Sequence, residues 1–257
     1  MRNVIVAASL AANVGIVGLG AKLVWNRGGL DYIQRRLGMA PIRTDNGYST
    51  RIALQQDLPL VRDEIAFVGD SLTDAMHWAE HFVGLPVRNF GIGSDTSSDV
   101  LNRIDTIAER RPAEVFLMVG VNDLGGHFAP SVVQENVRKI VEALREERSD
   151  TRVVLFSILP TTNPMTAESI PATNTALEAL AAEIDLEYVD LYPAYTDATG
   201  AIRPDFTTDG IHLTSAGYRP WIDAVEELIG RDHHDRNVAE VEPPFLGGAA
   251  SLLVGLP

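Results

Sequence analysis

With 257 residues and 46% apolar side chains, the chain is long enough for one α/β domain with a full hydrophobic core. Its formal net charge of −14 argues against nucleic acid as a partner, because phosphate contacts need clustered lysine and arginine side chains. The sequence contains no cysteine, which excludes a disulfide framework, a thiol nucleophile and a thiolate metal site.

The first 25 residues are apolar and basic. Residues 4–20 carry no charged side chain, and together with the following turn they reach roughly the 20 residues that a helix needs to cross a bilayer. Lys22 and Trp25 suit a membrane interface. We expect a membrane anchor over residues 4–25, with the basic flank after it holding the rest of the chain on the cytoplasmic side.

Two alternatives to the anchor stay open. A secretory signal could be cleaved near the small residues 18–21, which would give a secreted protein. The apolar segment could also be a helix packed on the domain itself.

Four segments are predicted along the chain. A hydrophobic helix over residues 1–25 is followed by a linker over residues 26–60, a folded domain over residues 61–230 and a tail over residues 231–257. The linker contains a short amphipathic helix, indicated by the spacing of Leu30, Ile33 and Leu37, and then an irregular stretch over residues 41–51. The tail includes His233 and His234, which we interpret as polar surface residues, and an apolar stretch over 245–256 of open role.

After residue 60, short apolar runs alternate with segments of helical periodicity. The runs are unalternating, as strands buried on both faces are, and they predict strands over 65–68, 87–90, 115–119, 153–158 and 186–191. Apolar side chains at helical spacing predict helices over 100–110, 132–145 and 172–184. A last helix is expected over 221–229, with Thr214 as its cap and Pro220 delaying its regular part. Right-handed crossovers then predict a three-layer α/β/α sandwich around a five-stranded parallel sheet.

Polar clusters follow four of the predicted strands. Because ligands bind at the carboxyl ends of the strands in open α/β sheets, we expect these clusters to converge on one edge of the fold. The clusters are Gly69–Ser71, Asn89–Thr96, Gly120–Asp123 and Asp209–His212.

Ser71, His212 and Asp209 supply the nucleophile, the base and the acid of a serine hydrolase. An aspartate three residues before a histidine can hold one ring nitrogen and leave the other free to take a proton from a serine hydroxyl. Ser71 precedes a helical pattern, so its own N–H can donate to an oxyanion. Each residue alone has a plainer interpretation, Ser71 as a helix N-cap and His212 as a structural histidine; together they favour a catalytic triad.

Asn122 and the loop around residue 93 are candidates for an oxyanion hole. The Asn122 amide could donate to a developing oxyanion, although an asparagine in a turn can also serve only to adopt a positive φ. The glycines of the second cluster let the backbone approach a ligand and offer an N–H near Gly93 or Ser94. We interpret Asp123 as a turn or helix-capping residue.

The four clusters resemble the four blocks of the SGNH (GDSL) hydrolase superfamily, in order and across most of residues 61–230. The sequences from Asn89 to Gly93 and from Asp209 to Thr214 look most like the branch that contains bacterial acyl-esterases and platelet-activating-factor acetylhydrolase catalytic subunits. The resemblance implies a flavodoxin-like sheet, a triad of Ser71, His212 and Asp209, and an oxyanion hole formed by the Ser71 N–H, a second-block N–H and the Asn122 amide. The second-block position that is usually glycine is Ser94 here, so the donor is assigned to Gly93 or Ser94.

The sequence therefore predicts a serine esterase that works through an acyl-enzyme on short-chain or acetyl esters of a lipid or carbohydrate. Alternatives are an O-acyltransferase on the same fold and a non-catalytic carbohydrate- or lipid-binding domain. No metal or organic cofactor is expected, because Asp74, His77 and His81, although spaced along one helical face, are interpreted as a solvated surface. The oligomeric state is left open.

Loops over residues 124–129 and 161–171 are expected to shape the acyl pocket. Their apolar residues would form a modest wall, and they are Phe128, Pro164, Met165 and Ile170.

Overall fold

The structure is a computed structural model that describes residues 45–240, with side chains described to residue 230. The predicted anchor, the amphipathic part of the linker and the apolar stretch of the tail lie outside the described residues. The described part of the chain divides into two compact units between residues 218 and 219. Within the part that is described, no helix combines the length and the apolar character needed to cross a membrane.

Five parallel strands form one sheet in the order β2-β1-β3-β4-β5. The strands are β1 Ile65–Gly69, β2 Val87–Gly91, β3 Glu114–Met118, β4 Arg152–Phe156 and β5 Glu187–Val189. The described helices are α1 Asn46–Gln56, α2 Ser71–Asp74, α3 Trp78–His81, α4 Ser97–Asn102, α5 Ile104–Ala108, α6 Val121–Gly125, α7 Pro130–Glu147, α8 Pro164–Ala167, α9 Ile170–Glu183, α10 Tyr192–Tyr195 and α11 Ser215–Glu240. The predicted α/β fold with a five-stranded parallel sheet is confirmed.

The central strands are buried on both faces because helices cover both. All five residues of β1 are buried, which explains why the run does not alternate between apolar and polar side chains. Ala66 and Val68 face a core cluster that α4, α5, α7 and α9 complete. On the opposite face, Phe67 stacks on Trp78 with ring centroids 4.1 Å apart.

The register of the strands aligns the site loops. Gly69 at the end of β1 pairs with Gly91 at the end of β2 and with Met118 at the end of β3. Because the three strands are parallel and in register, the loops that follow them leave the sheet at the same edge. The polar clusters after β1, β2 and β3 therefore begin side by side.

The structure corrects the predicted elements in three places. The linker prediction is wrong for residues 46–56, which form α1 with Tyr48 and Gln55 buried. The single helix predicted over 100–110 is instead α4 and α5, interrupted at Arg103, whose side chain turns into the protein. The last helix begins at Ser215 rather than at residue 221 and reaches Glu240, so it includes the start of the predicted tail.

Thr214 and Pro220 behave differently at the start of α11. The Thr214 side chain accepts a hydrogen bond from the Gly217 N–H at 3.1 Å, which confirms the predicted cap. Pro220 lies inside the helix and does not delay it, so the predicted delay is wrong.

Gly91 allows the short helix α2 to pack directly on the end of β2. A Cβ atom at residue 91 would lie 2.3 Å from the backbone nitrogen of Asp74. We expect Gly91→Ala to lower the free energy of unfolding by about 1–3 kcal/mol or more, because backbone rather than a flexible side chain must move. Urea denaturation measures the change.

Gly230→Ala is the matched control for this substitution. A Cβ atom at residue 230, within α11, meets nothing within 4 Å, so alanine should be neutral or stabilise the helix by about 1 kcal/mol. Equal stability of Gly91→Ala and the wild type would contradict the packing described here.

Candidate active site

Ser71 lies at the first residue of α2, directly after β1. Asp70 is the N-cap of this helix, and its side chain accepts the Leu72 N–H at 3.0 Å. The alternative interpretation of Ser71 as the N-cap is therefore wrong. Because the Asp70 side chain accepts the N–H at the helix start, the Ser71 hydroxyl is available for other contacts. The hydroxyl contacts a histidine from the far end of the domain.

Asp209 and His212 lie on one loop after β5, and His212 contacts both Asp209 and Ser71. The Asp209 carboxylate lies 2.6 Å from His212 Nδ1, and His212 Nε2 lies 3.0 Å from Ser71 Oγ. Asp209 Oδ1 also accepts the backbone N–H groups of Ile211 and His212 at 3.0 and 2.8 Å. The structure thus brings together the three residues that the sequence singled out, in the order carboxylate, imidazole, hydroxyl.

The loop that carries Asp209 and His212 turns sharply at Gly210, which has a φ of +89°. Its carbonyl accepts the Thr162 N–H at 3.0 Å, and the Thr207 hydroxyl donates to the His212 carbonyl at 2.8 Å. These bonds fix the backbone of the loop although both side chains remain about half exposed, Asp209 at 53% and His212 at 48%.

The hydrogen bond from His212 holds the pKa of Asp209 at about 2, helped by the two backbone N–H groups. Asp209 is therefore a carboxylate at neutral pH. A carboxylate at Nδ1 favours the tautomer with the proton on that nitrogen, which leaves the Nε2 lone pair directed at Ser71. This arrangement can accept a proton from the hydroxyl.

The loop after β2 makes a tight turn beside Ser71. Asp95 donates its N–H to the Ile92 carbonyl at 3.1 Å, and between them Ser94 has a φ of +67°. A single positive φ at the third residue is typical of a type II turn, where glycine is favoured. A Cβ atom at Gly93 would lie 4.0 Å from the Ser71 Cβ, so the backbone at Gly93 passes close to the serine.

Asn122 lies in α6, directly after β3, and faces the same turn. Its side-chain amide donates one hydrogen bond to the Asp95 carbonyl at 2.9 Å. The amide carries a second N–H, which is the one that could serve an oxyanion. Asn122 is not among the described residues with positive φ, and Gly120 takes that role at +131°, so the turn interpretation of Asn122 is wrong.

Two buried contacts beneath the site were not predicted from the sequence. Arg103, 2% exposed, donates to the buried Asp95 carboxylate at 2.8 Å and to the Phe90 carbonyl at 2.7 Å. Asp123 accepts the N–H and hydroxyl of Ser97 at 2.8 and 2.6 Å, and Ser97 is the first residue of α4, so Asp123 satisfies a helix-start N–H group on a helix other than its own. An arginine inside an apolar helical segment was the available sequence signal for the first contact.

Burial raises the pKa of Asp70 and of Asp123, each to about 7. Desolvation of the carboxylate is the main cause in both, opposed by the Leu72 N–H at Asp70 and by Ser97 at Asp123. The negative charges of Asp123 and Asp95 raise the pKa of Asp70 further. The carboxyl groups of Asp70, Asp95 and Asp123 thus lie near one another beneath Ser71.

The remaining candidates are dispersed. Asp74 pairs with Arg51 of α1, and His77 lies 3.6 Å from Glu80. Among the described residues, there is no group of three or more His, Asp or Glu side chains that could hold a metal ion. Of the residues expected to line an acyl pocket, Phe128 and Ile170 are buried in the core and that part of the prediction is wrong, while Met165 is 57% exposed.

Comparison with known proteins places the chain in a family. The model of the GDSL-like Lipase/Acylhydrolase family matches residues 67–219, which contain Ser71, Asn122, Asp209 and His212. The chain belongs to this family, and it is a hydrolase of carboxylic esters.

Relatives and solved structures agree with this membership. The chain is 32% identical over 177 residues to platelet-activating factor acetylhydrolase IB subunit alpha1 of Bos taurus, covering 65% of this chain and 75% of the relative. It is 26% identical over 175 residues to the bovine alpha2 subunit, covering 65% and 76%. A GDSL-like lipase from Bacteroides thetaiotaomicron shares the fold with a TM-score of 0.63 at 22% identity, covering 72% of this chain and 98% of that one.

The raised pKa values of Asp70 and Asp123 predict a stability that falls as pH rises. Above the ordinary aspartate pKa of 3.8 and below about 7, the folded protein binds up to two protons more than the unfolded chain. We therefore expect the free energy of unfolding to fall from pH 5 to pH 8, by at most about 1.4 kcal/mol per pH unit for each carboxyl. Asp209 makes the free energy of unfolding rise with pH, but only below about pH 4, since its pKa is lowered.

Urea denaturation at four pH values between 5 and 8 measures this slope. Asp123→Asn should make the slope shallower, because it removes one of the two titrating groups. A free energy of unfolding that rises with pH over this range would contradict the assignment of buried, proton-binding carboxyls.

Proposed function

We propose that this protein is a serine esterase that hydrolyses acetyl or other short acyl esters of a lipid or carbohydrate alcohol. Ser71 is the nucleophile, His212 the general base and acid, and Asp209 the carboxylate that orients and stabilises the imidazole. The observation that carries the proposal is the continuous hydrogen-bonded chain from Asp209 through His212 to Ser71, with contacts of 2.6 and 3.0 Å.

In the first half of the reaction, Ser71 Oγ attacks the carbonyl carbon of the ester and its proton passes to His212 Nε2. The negative charge that develops on the carbonyl oxygen is stabilised by hydrogen-bond donors at the same sheet edge. We assign these donors to the Ser71 N–H, the N–H of Gly93 or Ser94, and the free N–H of the Asn122 amide. His212 then protonates the leaving alcohol, the carbon–oxygen bond breaks, and the acyl group remains on Ser71.

In the second half, water replaces the alcohol. His212 takes a proton from water, the resulting hydroxide attacks the acyl carbonyl, and the acid leaves as the proton returns to Ser71 Oγ. The half-exposed side chains of Asp209 and His212 favour hydrolysis over transfer to a second alcohol, since water reaches the imidazole from bulk solvent.

Short acyl groups are favoured for two reasons. The bovine alpha1 and alpha2 subunits, to which the chain is similar, are named acetylhydrolases. In addition, Phe128 and Ile170, which could have lined a deep acyl channel, are less than 3% exposed and pack in the core instead. An acyl chain of many carbons would find little apolar surface at these two positions.

Ser71→Ala tests the assignment of the nucleophile. We expect kcat on p-nitrophenyl acetate to fall by about 10⁴-fold or more, because the acyl-enzyme cannot form. Assays with acetate, butyrate, octanoate and palmitate esters should show the highest kcat/KM for the shortest chains.

Ser149→Ala, at an exposed position after α7, is the matched control and should keep wild-type activity. Turnover of Ser71→Ala close to that of the wild type would refute the nucleophile, and an optimum at palmitate would refute the short-chain substrate class.

We further propose that residues 4–25 anchor the enzyme to a membrane with the catalytic domain on the cytoplasmic side. The support is the uncharged run of residues 4–20 and the excess of basic residues after it. We expect the full chain to stay in the pellet after carbonate extraction and a variant without residues 1–25 to be released. Release of the full chain would contradict the anchor.

The absence of cysteine from the sequence makes the orientation directly measurable. With Ser149→Cys as the single thiol, a membrane-impermeant maleimide should label the protein only after the cells are lysed. Labelling of intact cells would place the domain on the outer side.

A further inference from the structure

Polar residues beneath the site link two of the segments that carry the proposed oxyanion donors, the loop after β2 and helix α6. Asn122 and Asp123 are neighbours on α6; Asn122 contacts the loop after β2, and Asp123 contacts the first residue of α4, which follows that loop. Asn122 donates to the Asp95 carbonyl at 2.9 Å, and the Asp123 carboxylate accepts both the N–H and the hydroxyl of Ser97. Two adjacent residues of α6 thus contact Asp95 in the loop after β2 and Ser97 at the start of α4.

A third side chain completes this contact from α7. Asn136 donates to the Ser97 hydroxyl oxygen at 2.9 Å and, at the same distance, to that of Ser98. The Ser97 hydroxyl therefore gives its hydrogen to Asp123 and receives one from Asn136, which leaves it a single orientation. Asp123 and Ser97 have no exposed surface and Asn136 is 8% exposed. We name Asp123, Ser97 and Asn136 the loop clamp.

The loop clamp is buried too deeply to contact a substrate. It is close in sequence to the Ser94 N–H and the Asn122 amide, which contact the substrate in the proposed function. Ser97 follows Ser94 by three residues, and the intervening Asp95 is itself fixed by Arg103 and by the Asn122 amide. The positions of the Gly93 and Ser94 N–H groups relative to the Asn122 amide are therefore set by the contacts at Asp95 and Ser97, which follow them directly in the chain.

Keeping an ionisable group at position 123 has a cost. A buried carboxylate loses its hydration, and no cation contacts Asp123 in the hydrogen bonds and ion pairs of the described residues. Packing alone would be served by an apolar side chain at lower cost. A two-point bond to Ser97 is what the carboxylate adds, and it fixes both the distance and the rotation of the loop.

We propose that Asp123 is a positioning residue that aligns the second-block N–H with the Asn122 amide by holding Ser97. The inference rests on the proposed function, since it concerns the oxyanion hole of that reaction. An oxyanion hole acts chiefly in the transition state, so a loosened loop lowers kcat while KM changes little.

The test is steady-state kinetics of the full chain on p-nitrophenyl acetate with variants of the loop clamp. We expect Asp123→Ala to lower kcat about 10–100-fold with KM within about two-fold of the wild type, as small misplacements of catalytic groups do. Asp123→Asn should recover most of kcat, because its oxygen can accept the Ser97 N–H while its amide donates to the Ser97 hydroxyl. Ser97→Ala, which keeps the backbone contact, should lower kcat several-fold and serves if Asp123→Ala does not fold.

A double-mutant cycle with Asn122→Ala separates positioning from a general loss of structure. If Asp123 acts by aligning the two donors, Asp123→Ala should cost much less in kcat when the Asn122 amide is already gone. Glu64→Ala is the matched control, since Glu64 is a buried carboxylate at the opposite end of β1, paired with Arg110. It should lose stability in urea and keep the wild-type kcat.

Unchanged kcat in Asp123→Ala, or in Ser97→Ala where the former does not fold, would overturn the inference. Fully additive effects of Asp123→Ala and Asn122→Ala would overturn it as well. These outcomes differ from failure of the proposed function, which would show as absence of ester turnover in the wild-type chain or as turnover that survives Ser71→Ala.

Discussion

The contact between His212 Nε2 and Ser71 Oγ, 3.0 Å long, is the interaction on which the proposed chemistry depends. The two residues are 141 positions apart in the sequence, and only the folded domain brings them together. Asp209 orients the imidazole for this contact, because its carboxylate, with a pKa of about 2, binds the other ring nitrogen. In the proposed mechanism, hydroxyl, imidazole and carboxylate therefore act as one proton-transfer unit.

The parallel sheet supplies the geometry that this unit needs. Strands β1, β2 and β3 end in register, so the turn with Ser71, the turn with Gly93 and the start of α6 with Asn122 leave the sheet side by side. Buried polar contacts then hold these loops at fixed separations, with Arg103 bound to Asp95 in one place. The carboxyl groups beneath Ser71 carry a desolvation cost that a purely structural core would avoid, which is consistent with their concentration at the site.

The sequence predicted the strands and the residues of the site because both depend on short-range pattern. Buried parallel strands are continuous apolar runs, and polar residues directly after such runs gather at one edge of the sheet. Features set by distant contacts could not be predicted in this way. Helix α1 is held by bonds such as Tyr48 Oη to the Asp99 carbonyl, 51 residues away, and the break at Arg103 exists because that side chain binds Asp95. The positive φ of Ser94 is likewise a property of the folded turn.

The central claim is that an acyl group passes through Ser71, and the most direct measurement is to trap it. The wild-type chain mixed with p-nitrophenyl acetate and quenched in acid within milliseconds should release close to one equivalent of p-nitrophenol in a burst. Mass spectrometry of the digested protein should then find one acetyl group on the peptide that contains Ser71. Steady turnover with no adduct on that peptide, or with the acetyl group on another residue, would contradict the account.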